Sequence, residues 1–508
     1  MKYNRFLIVL GVCMLMFGVL SCTKKLDEVI PQDTISKDQA LKDPNAARTL
    51  YHGTYGLFRS YNSTFFQLGE MRSDIWVDGL FTESVDGGLQ NLYRHNISRL
   101  NVPFGNWGGF YNLIYNFNNV IKIIPQTPLP DDEKNRMLAE VYGLRAYVYY
   151  TMLRTWGDVP LNTEPVETIN NTAETYKRRT GADTIMLQVK SDIERSLQLF
   201  GSSNTFPAGK RVYWNRVASL VLKGDAFIWS GTHMGGGNAD FTTAKTALQE
   251  VRSLQGANLD LQANYADIFD PTKKVNNKEI IFAINYELQQ SQNGVFGSFL
   301  FNSIQAATLS FAQAPTPTVA SVYPYVNGAN RVGLNQAMLD RLTSGPADQR
   351  ISNSFRTMYS TAAPYGVRGV LLTKYIGTTS GTSQIFNNDY PIYRYADVLL
   401  LLAEAKTKLG EDPSAEINAI RQRAYGATYT PHVNGGLTAN INAILDEYLR
   451  EFIGEGKRWW ALRRAGDAFV YANISPTYFS PASAAKFLLP LSQGMLTADP
   501  LLTQTTGY

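Results

Sequence analysis

Cysteine is almost missing from this chain. Of 508 residues only Cys13 and Cys22 carry thiols, and both belong to the first segment. If that segment is an export signal, at most one thiol survives, so no disulfide can form within the mature chain. A chain of this length with 44% hydrophobic residues has core enough to do without one. Histidine is also scarce. His52, His95, His233 and His432 are scattered without ligand-like spacing, and each reads as an ordinary surface or loop residue. HExxH, CxxC, G-x-S-x-G, the Walker loop and the dinucleotide fingerprint are all absent from the sequence. The acidic loop Glu83 to Gly88 lacks the spaced acids of an EF-hand. No metal, no cofactor and no catalytic residue is therefore expected. Charge is low: net +4, falling to about +2 if Lys2 and Arg5 leave with a signal, without a basic block, which gives nucleic-acid binding no support. Beyond the N-terminus no apolar run reaches the length of a membrane span.

What is present begins with Lys2 and Arg5 ahead of an apolar run over residues 6–20, suited to a signal peptide. It ends in Val19-Leu20-Ser21-Cys22, which resembles a bacterial lipobox, with bulky Leu20 a less usual member. The expectation is a signal over residues 1–21, lipidation of Cys22 and a polar leader over 22–36.

The body reads as helical. Asp43-Pro44 caps a helix to about Arg59 with Leu50, Thr54 and Leu57 inward. Residues 60–105 read as irregular. Trp107, Phe110, Ile114, Phe117 and Ile121 mark a second helix. Acids at 131–133 open a long third, stopped by Gly157 and Pro160. Helices follow over 182–200, 212–232 and 241–254. Helical periodicity then disappears over 256–390, where one strand-like run, Glu279 to Asn285, stands among long loops. From Arg394 a helical hairpin returns: Leu401, Leu402, Ala405 and Leu409 give one apolar face, Gly410 the C-cap, and Asp412-Pro413 the next start. A longer helix is expected through LREFIGEGKRWWALRRAG. Eight of these helices form about four pairs of tetratricopeptide type without a tight repeat period. The fold class is mainly α: an irregular tetratricopeptide-like scaffold over 37–255, a loop-rich insertion with short strands over 256–390, and C-terminal helices completing the scaffold over 391–508. The charges Glu404, Arg421, Arg423, Glu451, Glu455, Arg458 and Arg463 read as ion-paired helix faces rather than a catalytic cluster, each exposed pair worth at most about 1 kcal/mol.

Several stretches carry a family resemblance. RYADVLLLLAEA, INAIRQRA and LREFIGEGKRWWALRRAG resemble the C-terminal signature of SusD-like (RagB/SusD) outer-membrane lipoproteins of Bacteroidetes. LDEVIP, WGGFYNLIYNFNNVI, the pairing of LRAYVYY with WGDVP, YADIFD, EIIFAINYE and the ending resemble further family elements, with Thr505 where asparagine is usual. The resemblance covers almost the whole mature chain. It implies a lipid-anchored, surface-exposed protein that captures oligosaccharides, delivers them to a SusC-like TonB-dependent transporter as its lid, and catalyses nothing. A peptide-binding lid of the same kind is the alternative, and an exported glycoside hydrolase or a purely structural scaffold stand further off.

The positive chemical signal is aromatic, 12% of the chain. Sugar rings stack their C–H faces on aromatic planes while hydroxyls seek amide, carboxylate and guanidinium partners. Two loop regions offer that mixture: Asp74, Trp76, Asp78 and Phe81 in SDIWVDGLF, and Asn302, Tyr323, Tyr325, Asn327, Arg368 and Tyr375 in the insertion. Ligand binding is assigned to Asp74, Trp76, Asp78, Tyr323, Tyr325 and Arg368, with Trp76 the foremost stacking platform. Trp107, Trp156, Trp214, Trp459 and Trp460 are assigned to packing.

Overall fold

The computed structural model describes residues 36–166, 168–206, 209–345 and 347–508. The expected signal, Cys22 and all of the leader but Ser36 lie outside these residues.

Helix α1 (Pro44–Ser60) begins as its sequence dictates, with the Asp43 carboxylate accepting from Asn45 N at 2.9 Å and Pro44 at the first position. Its inward face is Ala47, Tyr51, Thr54 and Phe58, while Leu50 and Leu57 are only half-buried. Tyr51 is drawn in because its hydroxyl donates to the buried Glu140 carboxylate. The stretch expected to be irregular holds helix α2 (Asn62–Glu70) and a short helix over Gly87–Tyr93, whose Asp86 cap accepts from Gly88 N and Leu89 N. Then come α3 (Gly108–Ile123), α4 (Asp131–Trp156), α5 (Ala182–Phe200), α6 (Arg216–His233) and α7 (Gly237–Ser253). After the insertion the scaffold resumes with α8 (Tyr395–Lys408), α9 (Ser414–Tyr425), α10 (Gly436–Phe452) and α11 (Arg458–Ala465). Helix α1 packs on α3, α4 on α5, α6 on α7 and α8 on α9, which are the four expected pairs.

Helix α8 is buried from Tyr395 to Ala405 on every side, not on one face, because α6, α7, α9 and α10 all pack around it. Gly410 ends it at φ 77°. The expected long final helix is two, α10 and α11, broken at Ile453–Lys457. Gly454 and Gly456 take φ 82° and 71°, and a Cβ on Gly456 would stand 2.7 Å from the Tyr390 hydroxyl. The Glu70 carboxylate, at the end of α2, clamps that break by accepting from Gly454 N at 2.7 Å and Lys457 N at 3.1 Å.

Burial pushes the Glu70 carboxyl up to about 7 despite those two N–H donors. The folded chain therefore keeps a proton that the unfolded chain gives up near pH 4.5. Stability from this group falls as pH rises between those values, by roughly 3 kcal/mol in all. Glu70→Gln should flatten the difference in melting temperature between pH 5.5 and pH 8 relative to wild type. Parallel pH profiles for the two proteins would refute this account.

The insertion holds most of the strands. β1 (Trp76–Asp78), in the N-terminal part, pairs with β4 (Val332–Leu334), and β2 (Ile280–Ile284) pairs antiparallel with β9 (Tyr390–Arg394). β3 (Leu309–Ser310), β5 (Phe355–Ser360) and β6 (Val367–Leu372) form a three-stranded antiparallel sheet, and β7 (Thr378–Ser380) pairs with β8 (Ser383–Ile385). The sheet β3–β5–β6 carries a small core of its own, including Leu300, Phe301, Leu309, Val326, Met358 and Leu371. Among the described residues no helix is long and apolar enough to cross a membrane.

Glu404, Arg421, Arg423, Glu451, Glu455 and Arg458 are ion-paired, as expected, and all but Arg421 lie deep inside; Arg463 instead donates to the Phe487 carbonyl oxygen at 3.0 Å. Fully buried Arg394 donates to Glu279 at 2.5 Å, to Glu451 at 2.6 Å and to Glu455 at 2.8 and 2.9 Å. Arg423 joins Glu279 and Glu451, and Lys374 donates to Glu455 at 2.6 Å. Against the upward push of burial, Arg394, Lys374 and Lys457 hold Glu455 down to about 2. Exposed-pair energetics do not apply here: each ion is desolvated, and its neighbours replace the lost water.

Candidate functional site

All seven tryptophans are buried, none more than 7% exposed. A stacking platform open to solvent must therefore be tyrosine or phenylalanine. Trp76 lies on a strand, not in a polar loop. β1 pairs Trp76 with Leu334, and the ring, 4% exposed, packs 4.7 Å from Phe299. Its neighbouring acids serve arginines. Arg458 grips Asp74 through two bonds of 2.8 Å, with Arg341 at 3.3 Å, and against the effect of burial these cations hold the carboxyl below its usual range. Asp78 accepts from Gln90 at 2.9 Å and from Tyr93 and Arg94. The first loop region thus forms the wall of a scaffold, which corrects the expectation for Asp74, Trp76 and Asp78. Tyr375 is likewise buried, stacked on Phe296 at 4.0 Å, and Asn302 caps a short helix through Gln305 N. His95 is a core residue, its ring 4.7 Å from Phe479 and its Nε2 3.0 Å from the Arg72 carbonyl oxygen.

The other three candidates stand at the open edge of the small sheet. Tyr323 sets its ring edge-on to Phe311 at 5.9 Å. Arg356 lays its guanidinium 3.7 Å from the Phe311 centroid and 5.9 Å from that of Tyr323. Its Nη1 lies 3.5 Å from the Tyr323 hydroxyl. Tyr325, 40% exposed, and exposed Asn327 follow on the same turn. Arg368 is exposed at the bulge between β5 and β6. Sequence reading missed Phe311 and Arg356. The signal was there in FRTMYS: strand alternation puts Arg356 on the face of buried Met358, an apolar face where a guanidinium needs a reason.

The edge is built by docking two loops. Gly328 N donates to Phe301 O, Ala329 N to Gly297 O and Arg331 N to Ser298 O, at 3.1, 3.0 and 2.7 Å. Asn330, at φ 43°, accepts from Leu80 N at 2.8 Å, and Gly79 allows that approach, since a Cβ there would sit 1.9 Å from the Asn330 carbonyl oxygen. Gln305 donates to Glu83 at 3.2 Å and to Ser84 at 2.9 Å, and Arg331 pairs with Asp86. Phe81 sets its ring edge-on to Phe301 beneath. The aromatic edge is therefore held on backbone-locked turns. Two hollows lie elsewhere: a groove of about 460 Å³ between α1 and residues 286–295, lined by Arg59, Asn62 and Gln290, and a cleft of about 600 Å³ under the C-terminal tail, lined by Arg179, His233 and Arg463. Among the described residues no group of three His, Cys, Asp or Glu is placed to hold a metal ion.

The chain as a whole is similar to known proteins. Residues 278–508 match the model of the SusD family, and residues 33–208 match a family described as starch-binding, associating with the outer membrane. NanU of B. fragilis superposes with a TM-score of 0.83 at 34% identity, covering 94% of this chain and 100% of that one. A SusD superfamily protein from Bacteroides vulgatus superposes with a TM-score of 0.80 at 32% identity, covering 92% and 99%. SusD-like protein P38 of Formosa agariphila is 27% identical over 97% of both chains.

Proposed function

This chain belongs to the SusD family, and from that premise we propose that it is a cell-surface glycan-binding lipoprotein. It is anchored in the outer membrane through Cys22, captures oligosaccharides and hands them to a SusC-like TonB-dependent transporter, over which it acts as a lid. It performs no chemistry on them. The observation that carries the binding role is the open edge formed by Phe311, Tyr323, Tyr325 and Arg356. There, ring faces and planar donors sit together on locked turns, as a sugar requires. A preformed surface spends little of its binding energy on ordering itself. The family description as starch-binding and associating with the outer membrane supports the ligand class and the location.

Tyr323→Ala and Tyr325→Ala should each weaken oligosaccharide binding about tenfold, close to 1.4 kcal/mol, with the melting temperature unchanged within a few degrees. Calorimetric titration against a panel of oligosaccharides and mixed peptides checks it. Heat from peptides alone would overturn the glycan reading in favour of a peptide-binding lid. Glycan binding indifferent to both substitutions would move the site, with the α1 groove the next place to look.

A further inference from the structure

We infer that the ligand is an acidic oligosaccharide, whose carboxylate or sulfate is taken by Arg356, with exposed Arg368 further along the neighbouring strand. This rests on the glycan-binding reading above and narrows it. The chain from Leu288 to Leu339 contains no aspartate or glutamate at all. Across 288–388 the acids are Asp340 and Asp348, against Arg331, Arg341, Arg350, Arg356, Arg368 and Lys374. Both acids are occupied, Asp340 by Gln336 and Asp348 by Arg350. The acids on the adjoining loop are occupied too: Asp78 by Arg94, Asp86 by Arg331 and Glu83 by Gln305.

Arg356 and Arg368 have no carboxylate within ion-pair distance among the described residues, which sets them apart from Arg145, Arg350, Arg394 and Arg464. Arg356 is also preorganised. Its guanidinium lies against Phe311 and reaches the Tyr323 hydroxyl, so its plane is fixed before any ligand arrives. A fixed planar fork matches the two oxygens of a carboxylate or sulfate, which a neutral sugar cannot supply. The stretch 288–339, which carries Phe311, Tyr323 and Tyr325, offers such a ligand no carboxylate, although Asp340 and Glu83 on the flanking segments meet amides rather than cations.

The test is titration of the purified full chain with maltohexaose as the neutral probe, with oligogalacturonate and a sialylated lactose as carboxylated probes, and with a sulfated galactan oligomer. At least one acidic probe should bind ten times or more tighter than maltohexaose at about 50 mM salt, and that preference should shrink at about 500 mM. Arg356→Gln should cost that probe at least tenfold and cost maltohexaose clearly less, since a neutral sugar loses only a hydrogen-bond donor there, and Arg368→Gln should cost the acidic probe less. The carboxylated and sulfated arms identify which anion is read. Equal affinity for neutral and acidic probes, or neutral preference, overturns this inference and leaves the glycan reading standing. Equal loss of both ligand classes in Arg356→Gln also overturns it, by making Arg356 a donor to any sugar rather than a reader of charge. Heat from no saccharide at all sinks the glycan reading itself.

Discussion

Arg394→Met is expected to destabilise the folded protein severely. Glu279, Glu451 and Glu455 surround Arg394 in a region with no solvent exposure, and Arg423 and Lys374 complete the set. Arg350, 3.5 Å from Glu451, and Lys457, 3.9 Å from Glu455, stand further off and are engaged by Asp348, Glu447 and Asp397. Removing one cation leaves a surplus negative charge that cannot reach water. Breaking a buried pair in this way costs about 3–5 kcal/mol, a large part of the 5–15 kcal/mol that typically holds a domain together. Methionine has nearly the right volume, so the loss isolates charge from packing. The surplus carboxylate can be removed as well: Arg394→Met with Glu455→Gln should recover part of the stability, and chemical denaturation of the single and double variants measures the coupling. A melting temperature for Arg394→Met within 3 °C of wild type would show that the hub relaxes freely, against this account.

The second large effect falls on Trp76. Because its ring is enclosed against Phe299 and β1 pairs with β4, Trp76→Ala should open a cavity costing about 3–5 kcal/mol. In a chain of this size that is a fall of roughly 3–5 °C. Trp76→Phe should cost far less, since the indole Nε1 has no protein acceptor to lose. Neither variant should change oligosaccharide affinity per folded molecule by more than twofold. A Trp76→Phe protein that melts like wild type yet binds tenfold more weakly would return this ring to the ligand site.

Trp76 also shows where sequence reading stops. In SDIWVDG the acids flank the ring, and locally that is the pattern of a polar loop. What buries the ring is Phe299, more than two hundred residues away, and what neutralises Asp74 is Arg458, farther still. Local pattern carries the helix pairs well, since each helix is written in its own periodicity and its own caps, as at Asp43-Pro44 and Gly410. It fails at Gly454 and Gly456, because the apolar spacing of LREFIGEGKRWW runs on across the break. It fails for Arg356 because only the register of β5 against β3 and β6 brings that side chain to Phe311. Tyr323, Tyr325 and Arg368 stay candidates: the structure leaves Tyr325 and Arg368 exposed and Tyr323 half-buried, whereas Trp76 is enclosed. The charge cluster was legible as structure, but its depth was not: nothing in the spacing of Glu451 and Glu455 says that the facing side is protein rather than water.

The pairing of β2 with β9 bears on how this chain can diversify. Ile284 lies opposite Tyr390, so the hundred or so residues between them leave and rejoin the body at neighbouring points on one two-stranded ribbon. A gene-level exchange between those points would swap the recognising loops and leave both ends of the graft at the same separation. The constraint on such grafts is chemical. A newcomer must still cover Trp76, as Phe299 and β4 do, deliver a guanidinium to Glu447, as Arg350 does, and, nearest the ribbon, deliver an amine to Glu455, as Lys374 does, and an amide to the Phe269 carbonyl oxygen, as Asn388 does. Sister genes with new appetites are then expected to differ freely at positions such as Tyr323 and Arg368, while keeping the ribbon and those anchors.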